Sequence, residues 1–125
     1  MNMKILLIEE NQDAINELIV CLNTAFPDAI VAMVTERKDA IELISHEFFN
    51  LAILAPLAEL NGINLIDHIR KSSNVPLMVV LREQNELEIC RYLEAGADEY
   101  LVLPLDQQVC SAKVRALIRF GEKVS

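Results

Sequence analysis

The stretch NLAILAPLAELNG, Asn50–Gly62, decides the fold of this chain. It begins with an apolar run, Leu51–Ala55, which ends at Pro56, and it closes on the turn Asn61-Gly62. A short apolar run bounded by such breakers is typical of a strand buried on both faces of a sheet. In a parallel α/β sheet, functional groups lie in the loop that follows such a strand. Residues 55–58 offer no nucleophile, base or metal ligand. The pattern therefore predicts a functional centre whose chemical groups are missing.

Apolar runs alternate with helical patterns on both sides of this strand. The predicted strands are Lys4–Ile8, Ala29–Val34, Leu51–Ala55, Pro76–Leu81 and Glu99–Leu103. Each is followed by apolar residues at helical spacing; the fourth helix should begin within Glu83–Glu88, and the fifth should run from a cap at Asp106 to Gly121. Alternating strands and helices form a parallel sheet covered on both faces. We predict a doubly wound, flavodoxin-like α/β fold with five helices and the strand order 2-1-3-4-5.

Composition narrows the class of protein. The 125 residues, 53% of them hydrophobic, suffice for one domain with a substantial core. A net charge of −8 argues against this domain itself binding nucleic acid or an anionic membrane. No apolar run approaches the roughly 20 residues of a membrane span, and the amino terminus does not resemble a signal peptide. We expect a cytoplasmic protein with no membrane partner.

The cysteines Cys21, Cys90 and Cys110 are odd in number and far apart, without CxxC spacing. This pattern argues against a disulfide framework or a zinc site, and we expect three reduced, buried thiols. The chain also lacks a Ser/His/Asp set, a P-loop and a GxGxxG motif, so no enzyme activity is expected.

The chain resembles response-regulator receiver domains, the CheY-like family, over nearly its whole length. The segments that carry the resemblance are KILLIEEN (4–11), NLAIL (50–54), NGINLIDHIRK (61–71), VPLMVV (75–80) and LEAGADEYLVLP (93–104). The last is the most specific, since family members typically read GADDYLxKPF where this chain has GADEYLVLPL. The resemblance implies a two-component or phosphorelay signalling domain and a cis peptide bond at Leu103-Pro104.

In that family an acidic pair holds Mg²⁺, an aspartate accepts the phosphoryl group, and a Ser/Thr and a Lys contact that group. The acidic pair matches Glu9 and Glu10, whereas the acceptor, hydroxyl and lysine positions hold Ala55, Leu81 and Leu103. Losing the lysine together with the acid avoids an unpaired buried charge. The resemblance therefore implies a degenerate receiver, or pseudo-receiver, whose crevice is dry and apolar and forms no acyl phosphate.

We expect no cofactor at this crevice. Glu9 and Glu10 leave two alternatives open: weak Mg²⁺ binding, or helix capping with a solvated acidic rim, which is favoured because the third carboxylate is missing. The aromatic switch residue of the family matches Tyr100. Because Leu81 cannot engage a phosphoryl group, we predict that packing holds the Tyr100 ring in one orientation.

The predicted fifth helix contains AKVRALIR (112–119), which resembles the ARVRALLRR signature of the OmpR/PhoB-type subfamily. Those proteins dimerise through the fourth helix, fifth strand and fifth helix, and carry a C-terminal winged-helix DNA-binding domain. The implied homodimer interface consists of Ile89, Leu93, Asp98, Glu99, Val109, Lys113 and Arg115. Glu99 and Lys113 keep a family ion pair, whereas Ile89 and Val109 replace a second pair by apolar groups, which favours a constitutive dimer.

We predict a receiver-like domain at 1–121, followed at 122–125 by a tail or the start of a linker to an output domain, which alone would bind DNA. The protein would be an atypical response regulator that controls transcription by dimerisation, independently of phosphorylation. Two alternatives stay open. One is a non-catalytic interaction or localisation module that recruits a protein partner through the same face, and the other is an active phosphoacceptor at Glu59 or Asn61.

Overall fold

The computed structural model describes the backbone of residues 3–56 and 62–124 and the side chains through Glu122. In this part of the chain, five parallel strands form a sheet with the order β2-β1-β3-β4-β5, which confirms the predicted fold. The strands are β1 (Lys4–Glu9), β2 (Ile30–Val34), β3 (Leu51–Ala55), β4 (Leu77–Leu81) and β5 (Glu99–Val102). The helices are α1 (Ile15–Ala25), α2 (Arg37–His46), α3 (Ile63–Arg70), α4 (Glu86–Ala95) and α5 (Gln107–Val124), and a 3₁₀ turn precedes α1.

Every residue of β3 and β4 is buried, because helices cover both faces of the sheet. Leu51, Ile53 and Ala55 face the layer of α1 and α5, whereas Ala52 and Leu54 face the layer of α2, α3 and α4. Full burial of a large aliphatic side chain is worth about 1.5–3 kcal/mol, so a strand between two helical layers gains from apolar residues at every position. This explains the unbroken apolar run that predicts the fold.

Capping side chains set where several helices begin. The Asn11 side chain accepts a hydrogen bond from the Asp13 amide, and the Asp106 side chain accepts one from the Val109 amide, both at 3.0 Å. The fourth helix begins at Glu86, within the predicted range Glu83–Glu88, because Asn85 is extended and its side chain caps the helix. Helix α4 ends at Gly96, whose φ of +129° disfavours a residue with a side chain.

Helix α5 continues to Val124, so the prediction that it ends at Gly121 is wrong. A glycine inside a helix costs about 1 kcal/mol relative to alanine, which makes it a common stop signal. Here α5 passes close to Pro76, and a Cβ at position 121 would lie 2.7 Å from Pro76 Cγ. Residues 122–124 thus belong to α5. Whether the domain ends at residue 121 stays a prediction. No helix in the described ranges is both long and apolar enough to cross a membrane.

The expectation of three reduced, buried thiols is wrong in two respects. Cys21 of α1 and Cys110 of α5 form a disulfide, with their Cα atoms 6.2 Å apart. Both residues are fully buried, whereas Cys90 is a free, exposed thiol on α4. The pair escaped prediction because it joins residues 89 apart in sequence, which meet only when α1 and α5 pack together on one face of the sheet.

Candidate functional site

The carboxyl ends of the central strands bring the predicted site residues together in two groups. Glu9 pairs with Ala55 across the β1–β3 ladder, and the Ala55 carbonyl accepts hydrogen bonds from the amides of Glu10 and Asn11, both at 2.9 Å. Beside them, the Leu103 amide donates to the Leu81 carbonyl at 2.9 Å. The Leu103-Pro104 peptide bond is cis, as predicted.

The side chains at the three positions predicted to be degenerate are apolar and packed. Ala55 and Leu81 are 0% and 1% exposed, and Leu103 is half-buried against the core cluster that contains Ala55. Neither a methyl nor an isobutyl group can accept a phosphoryl group or stabilise its charge. These positions therefore provide no chemistry of phosphoryl transfer.

Neither member of the acidic pair is fully exposed, and Glu10 is bound by a basic side chain. Glu9 is the last residue of β1, whose preceding residues lie in the core, and it is only 6% exposed. The expectation of a solvated acidic rim is therefore wrong for this residue. Glu10 forms a two-pronged pair with Arg37 of α2: Arg37 Nε and Nη2 lie 3.0 Å from Glu10 Oε2 and Oε1 respectively. This hydrogen-bonded pair raises the pKa of the Arg37 guanidinium.

These residues fit a divalent cation poorly. Arg37 already binds both oxygens of Glu10, and Ala55, which the resemblance aligns with a third carboxylate, supplies no oxygen ligand from its side chain. Within the residues that the structure describes, no group of three or more His, Cys, Asp or Glu side chains is placed to hold a metal ion. The alternative acceptors Glu59 and Asn61 lie outside the described residues.

Tyr92 of α4 is a site residue that sequence reasoning missed. It is fully buried, and its hydroxyl accepts a hydrogen bond at 2.9 Å from the amide of Gly62, just before α3. A Cβ at Gly62 would lie 2.5 Å from Leu54 Cδ2 and 3.1 Å from Tyr92 Cε1, so a side chain at this position would require Leu54 to shift. Burial raises the pKa of Tyr92 to about 12. The available signal was its spacing of three residues from the buried Ile89, which places both on the inner side of α4.

The predicted dimer face lies along β5, an edge strand flanked by α4 and α5. Leu93 and Val109 are 39% and 43% exposed, and Asp98 and Arg115 are exposed as well. Ile89 is only 8% exposed, because it packs into the core between α4 and the sheet. Its side chain offers little area to a second copy, contrary to the role that its position predicts.

Several charges predicted for this face form contacts within one chain. Lys113 Nζ lies 3.2 Å from Glu99 Oε1 and donates to the Tyr100 carbonyl at 3.0 Å. Its ammonium also lies 5.0 Å from the centre of the Tyr100 ring, a distance suited to a cation–π contact. Asp98 Oδ2 accepts hydrogen bonds from Arg70 and from the Leu77 amide, both at 2.9 Å. The fixed orientation of Tyr100 stays a prediction, which the Lys113 contact favours.

Comparison with known families and proteins agrees with this geometry. A family model described as the response regulator receiver domain matches residues 5–115. The transcriptional regulatory protein AfsQ1 of Streptomyces coelicolor is 28% identical over 121 residues, which cover 96% of this chain and 53% of that protein. The transcriptional regulatory protein CseB of the same organism is 32% identical over 99 residues, which cover 78% of this chain and 39% of that protein.

The fold is also that of solved receiver structures. A crystal structure of a CheY-like response regulator receiver domain protein from Methanospirillum hungatei aligns over 100% of both chains. The TM-score is 0.83 at 20% sequence identity, a likeness of fold alone. The chain spans about half the length, or less, of the two curated relatives described above.

Proposed function

The chain belongs to the response regulator receiver domain family, and we propose that it is a pseudo-receiver that controls transcription without being phosphorylated. The observation that carries this proposal is the acceptor position, where Ala55 presents a fully buried methyl group. The positions that would contact a bound phosphoryl group hold Leu81 and Leu103. An acyl phosphate needs a carboxylate nucleophile and groups that stabilise its charge, and none of these three residues supplies either.

The Arg37–Glu10 pair supports the same proposal. In an active receiver the acidic pair binds Mg²⁺, whereas here the Glu10 carboxylate is neutralised by a guanidinium at 3.0 Å. Binding Mg²⁺ through Glu10 would require breaking two charge-assisted hydrogen bonds in a partly buried setting. We therefore propose that the domain works without a metal or other cofactor and is not an enzyme.

Assembly replaces phosphorylation in this proposal. Two copies associate through the face of α4, β5 and α5, where Leu93 and Val109 present exposed apolar surface. The relatives AfsQ1 and CseB are named transcriptional regulatory proteins, and this chain spans only part of their length. We propose that a DNA-binding output domain of the OmpR/PhoB type follows the receiver in a cytoplasmic regulator and is positioned by the dimer.

The test is to incubate the protein with acetyl phosphate and Mg²⁺ and to measure its intact mass. An active receiver domain treated in parallel is the positive control. The expected result is an unchanged mass for this chain. A stable phosphoryl adduct would contradict the proposal, and peptide mapping would then show whether Glu59 or Asn61 carries it.

A second candidate is a protein-interaction module with no DNA-binding output. It is favoured by one observation: Glu99 and Lys113, which would pair across a family dimer, already pair within one chain at 3.2 Å. The face would then recruit a different protein instead of a second copy. Sequencing the gene beyond Ser125 distinguishes the two, because a basic winged-helix segment there supports the transcriptional role and its absence supports the module.

A further inference from the structure

We propose that Cys21 and Cys110 form a reversible redox pair that sets how tightly α5 is held against α1. The two residues lie on adjacent helices, are bonded through their sulfur atoms, and are both fully buried. Their Cα separation of 6.2 Å lies within the range that disulfides span. The inference depends on this pair alone and not on the proposed function.

The state of this bond must affect the packing of the two helices. Bonded sulfur atoms lie about 2 Å apart, whereas non-bonded heavy atoms need about 3.5–4 Å. The pair sits in the core cluster that also contains Leu18, Leu22 and Val114, all at most 1% exposed. A core packed this closely has little free volume, so reduction requires the side chains or the helices to move apart.

A second set of contacts limits that movement at the start of α5. Glu17 Oε1 of α1 accepts a hydrogen bond from the Leu105 amide at 2.8 Å, and Gln107 Nε2 donates to the Glu17 carbonyl at 3.0 Å. These bonds involve no sulfur, so we expect them to persist in either redox state. Reduction should therefore loosen α5 from Cys110 onward without detaching its first residues from α1.

The chemistry balances with a low-molecular-weight disulfide as the oxidant. One cysteine thiolate attacks the oxidant, forming a mixed disulfide and releasing one thiolate; the second cysteine thiolate then displaces the other half and closes the Cys21–Cys110 bond. The two protons lost by the protein thiols end on the two released small thiols. A dithiol reverses both steps. Because both sulfurs are buried, exchange requires transient opening between α1 and α5, so the pair responds slowly.

The experiment uses the chain with Cys90→Ala, which leaves Cys21 and Cys110 as its cysteines. One portion is treated with glutathione disulfide and the other with dithiothreitol, both under native conditions. Thiols are then alkylated in denaturant and counted by mass, and backbone hydrogen exchange is measured on unalkylated samples. We expect no alkylation after oxidation, two alkyl groups after reduction, and exchange about tenfold or more faster in α5 beyond Cys110 in the reduced protein.

Three results would overturn the inference. Two alkyl groups after oxidation would mean that the bond does not form, and none after dithiothreitol would mean that it is a permanent tie. Equal exchange in both states would mean that it does not control α5. A variant with Cys110→Ala should exchange like the reduced protein after either treatment; if that variant does not fold, the comparison of the two states of the Cys90→Ala protein still decides.

Discussion

At the residue scale, the proposed loss of phosphoryl chemistry rests first on the buried methyl group of Ala55. Ala55 is fully enclosed, with Leu81 and half-buried Leu103 as the apolar partners at the same end of the sheet. A carboxylate at this position would be buried without the lysine that pairs with it in an active receiver. The apolar residues Ala55, Leu81 and Leu103 are therefore compatible with one another. Introducing the residue of an active receiver at only one of these positions should lower the free energy of unfolding.

The first prediction concerns Ala55→Asp. We expect a loss of about 3–5 kcal/mol in the free energy of unfolding, since the new carboxylate is buried without a partner. Ala55→Asn is the matched control, with nearly the same shape but no charge, and should cost about 1–3 kcal/mol. Urea unfolding at neutral pH measures both. An aspartate variant no less stable than the asparagine variant would contradict this account of the crevice.

The second prediction concerns Tyr92 and high pH. Burial raises the pKa of Tyr92 to about 12, above its ordinary value of 10, so the folded state favours the protonated phenol. The resulting stabilisation is fully present below about pH 10 and is lost as the pH rises from about 10 to about 12. In Tyr92→Phe the free energy of unfolding should not show this decrease between about pH 10 and about 12. Urea unfolding of both proteins across this pH range measures the difference.

Tyr92→Phe also leaves the Gly62 amide without its hydrogen-bond acceptor. This loss should lower the free energy of unfolding by about 1 kcal/mol at neutral pH. Tyr100→Phe is the control, because water can replace a hydroxyl on a half-exposed ring. If Tyr92→Phe shows the same decline in alkali as the unmodified chain, Tyr92 does not carry the effect.

Sequence reasoning identified the residues at the carboxyl ends of the strands, but not the contacts of Glu10 and Tyr92 beside them. Ala55, Leu81 and Leu103 follow from the ends of apolar strands, which a parallel topology gathers at one edge of the sheet. The Arg37–Glu10 and Tyr92–Gly62 contacts join residues 27 and 30 apart in sequence. They depend on how α2 and α4 sit over the sheet, which no local pattern specifies.

At the scale of elements, Asp98 joins three parts of the fold. It pairs with Arg70 at the end of α3 and accepts the amide of Leu77 at the start of β4, while itself preceding β5. Arg70 also donates to the Val75 and Gly96 carbonyls. The subfamily resemblance assigns Asp98 to the dimer face, but its contacts here hold a single chain together.

The third prediction follows from these bonds. Asp98→Ala should lower the free energy of unfolding by about 1.5–3 kcal/mol, because it removes hydrogen bonds from a charged acceptor. Arg115→Ala, on an exposed side chain of the same predicted face, should change it by less than about 0.5 kcal/mol. Both are measured by urea unfolding at a protein concentration low enough to keep the chain monomeric. Equal effects would contradict the structural role of Asp98.

Strands were easier to predict than helix ends and helix contacts. All five strands lie within a residue of their predicted bounds, because buried apolar runs are defined by residues that cannot face water. The fifth helix continues past Gly121 to Val124. It lies so close to Pro76 at this point that a side chain would meet the proline ring, which explains why a glycine stands inside the helix. The Cys21–Cys110 pair depends on the packing of α1 against α5, which spacing along the chain does not encode.

At the scale of the whole molecule, charge and apolar surface act against each other in self-association. Each chain carries a net charge of −8, so two copies repel at low ionic strength. Salt screens this repulsion and leaves contacts between apolar groups intact. A dimer held by Leu93 and Val109 should therefore be at least as stable at high salt as at low salt.

The fourth prediction tests which surface is used. Val109→Lys adds a charge close to Lys113 on the proposed face and should weaken dimerisation by about tenfold or more, as expected for a residue near the centre of an interface. Val20→Lys is the matched control, since Val20 is 54% exposed on α1, away from this face. Sedimentation equilibrium measures both. Equal weakening by the two variants would mean that the dimer, if present, uses another surface.

Sedimentation equilibrium over a concentration series, at low and high salt and with and without acetyl phosphate and Mg²⁺, distinguishes assembly without phosphorylation from its alternatives. We expect a dimer whose dissociation constant does not change with the phosphodonor and does not increase at high salt. A chain that dimerises only with the phosphodonor would contradict phosphorylation-independent action. A monomer under every condition would contradict assembly through α4, β5 and α5 and would favour the interaction module.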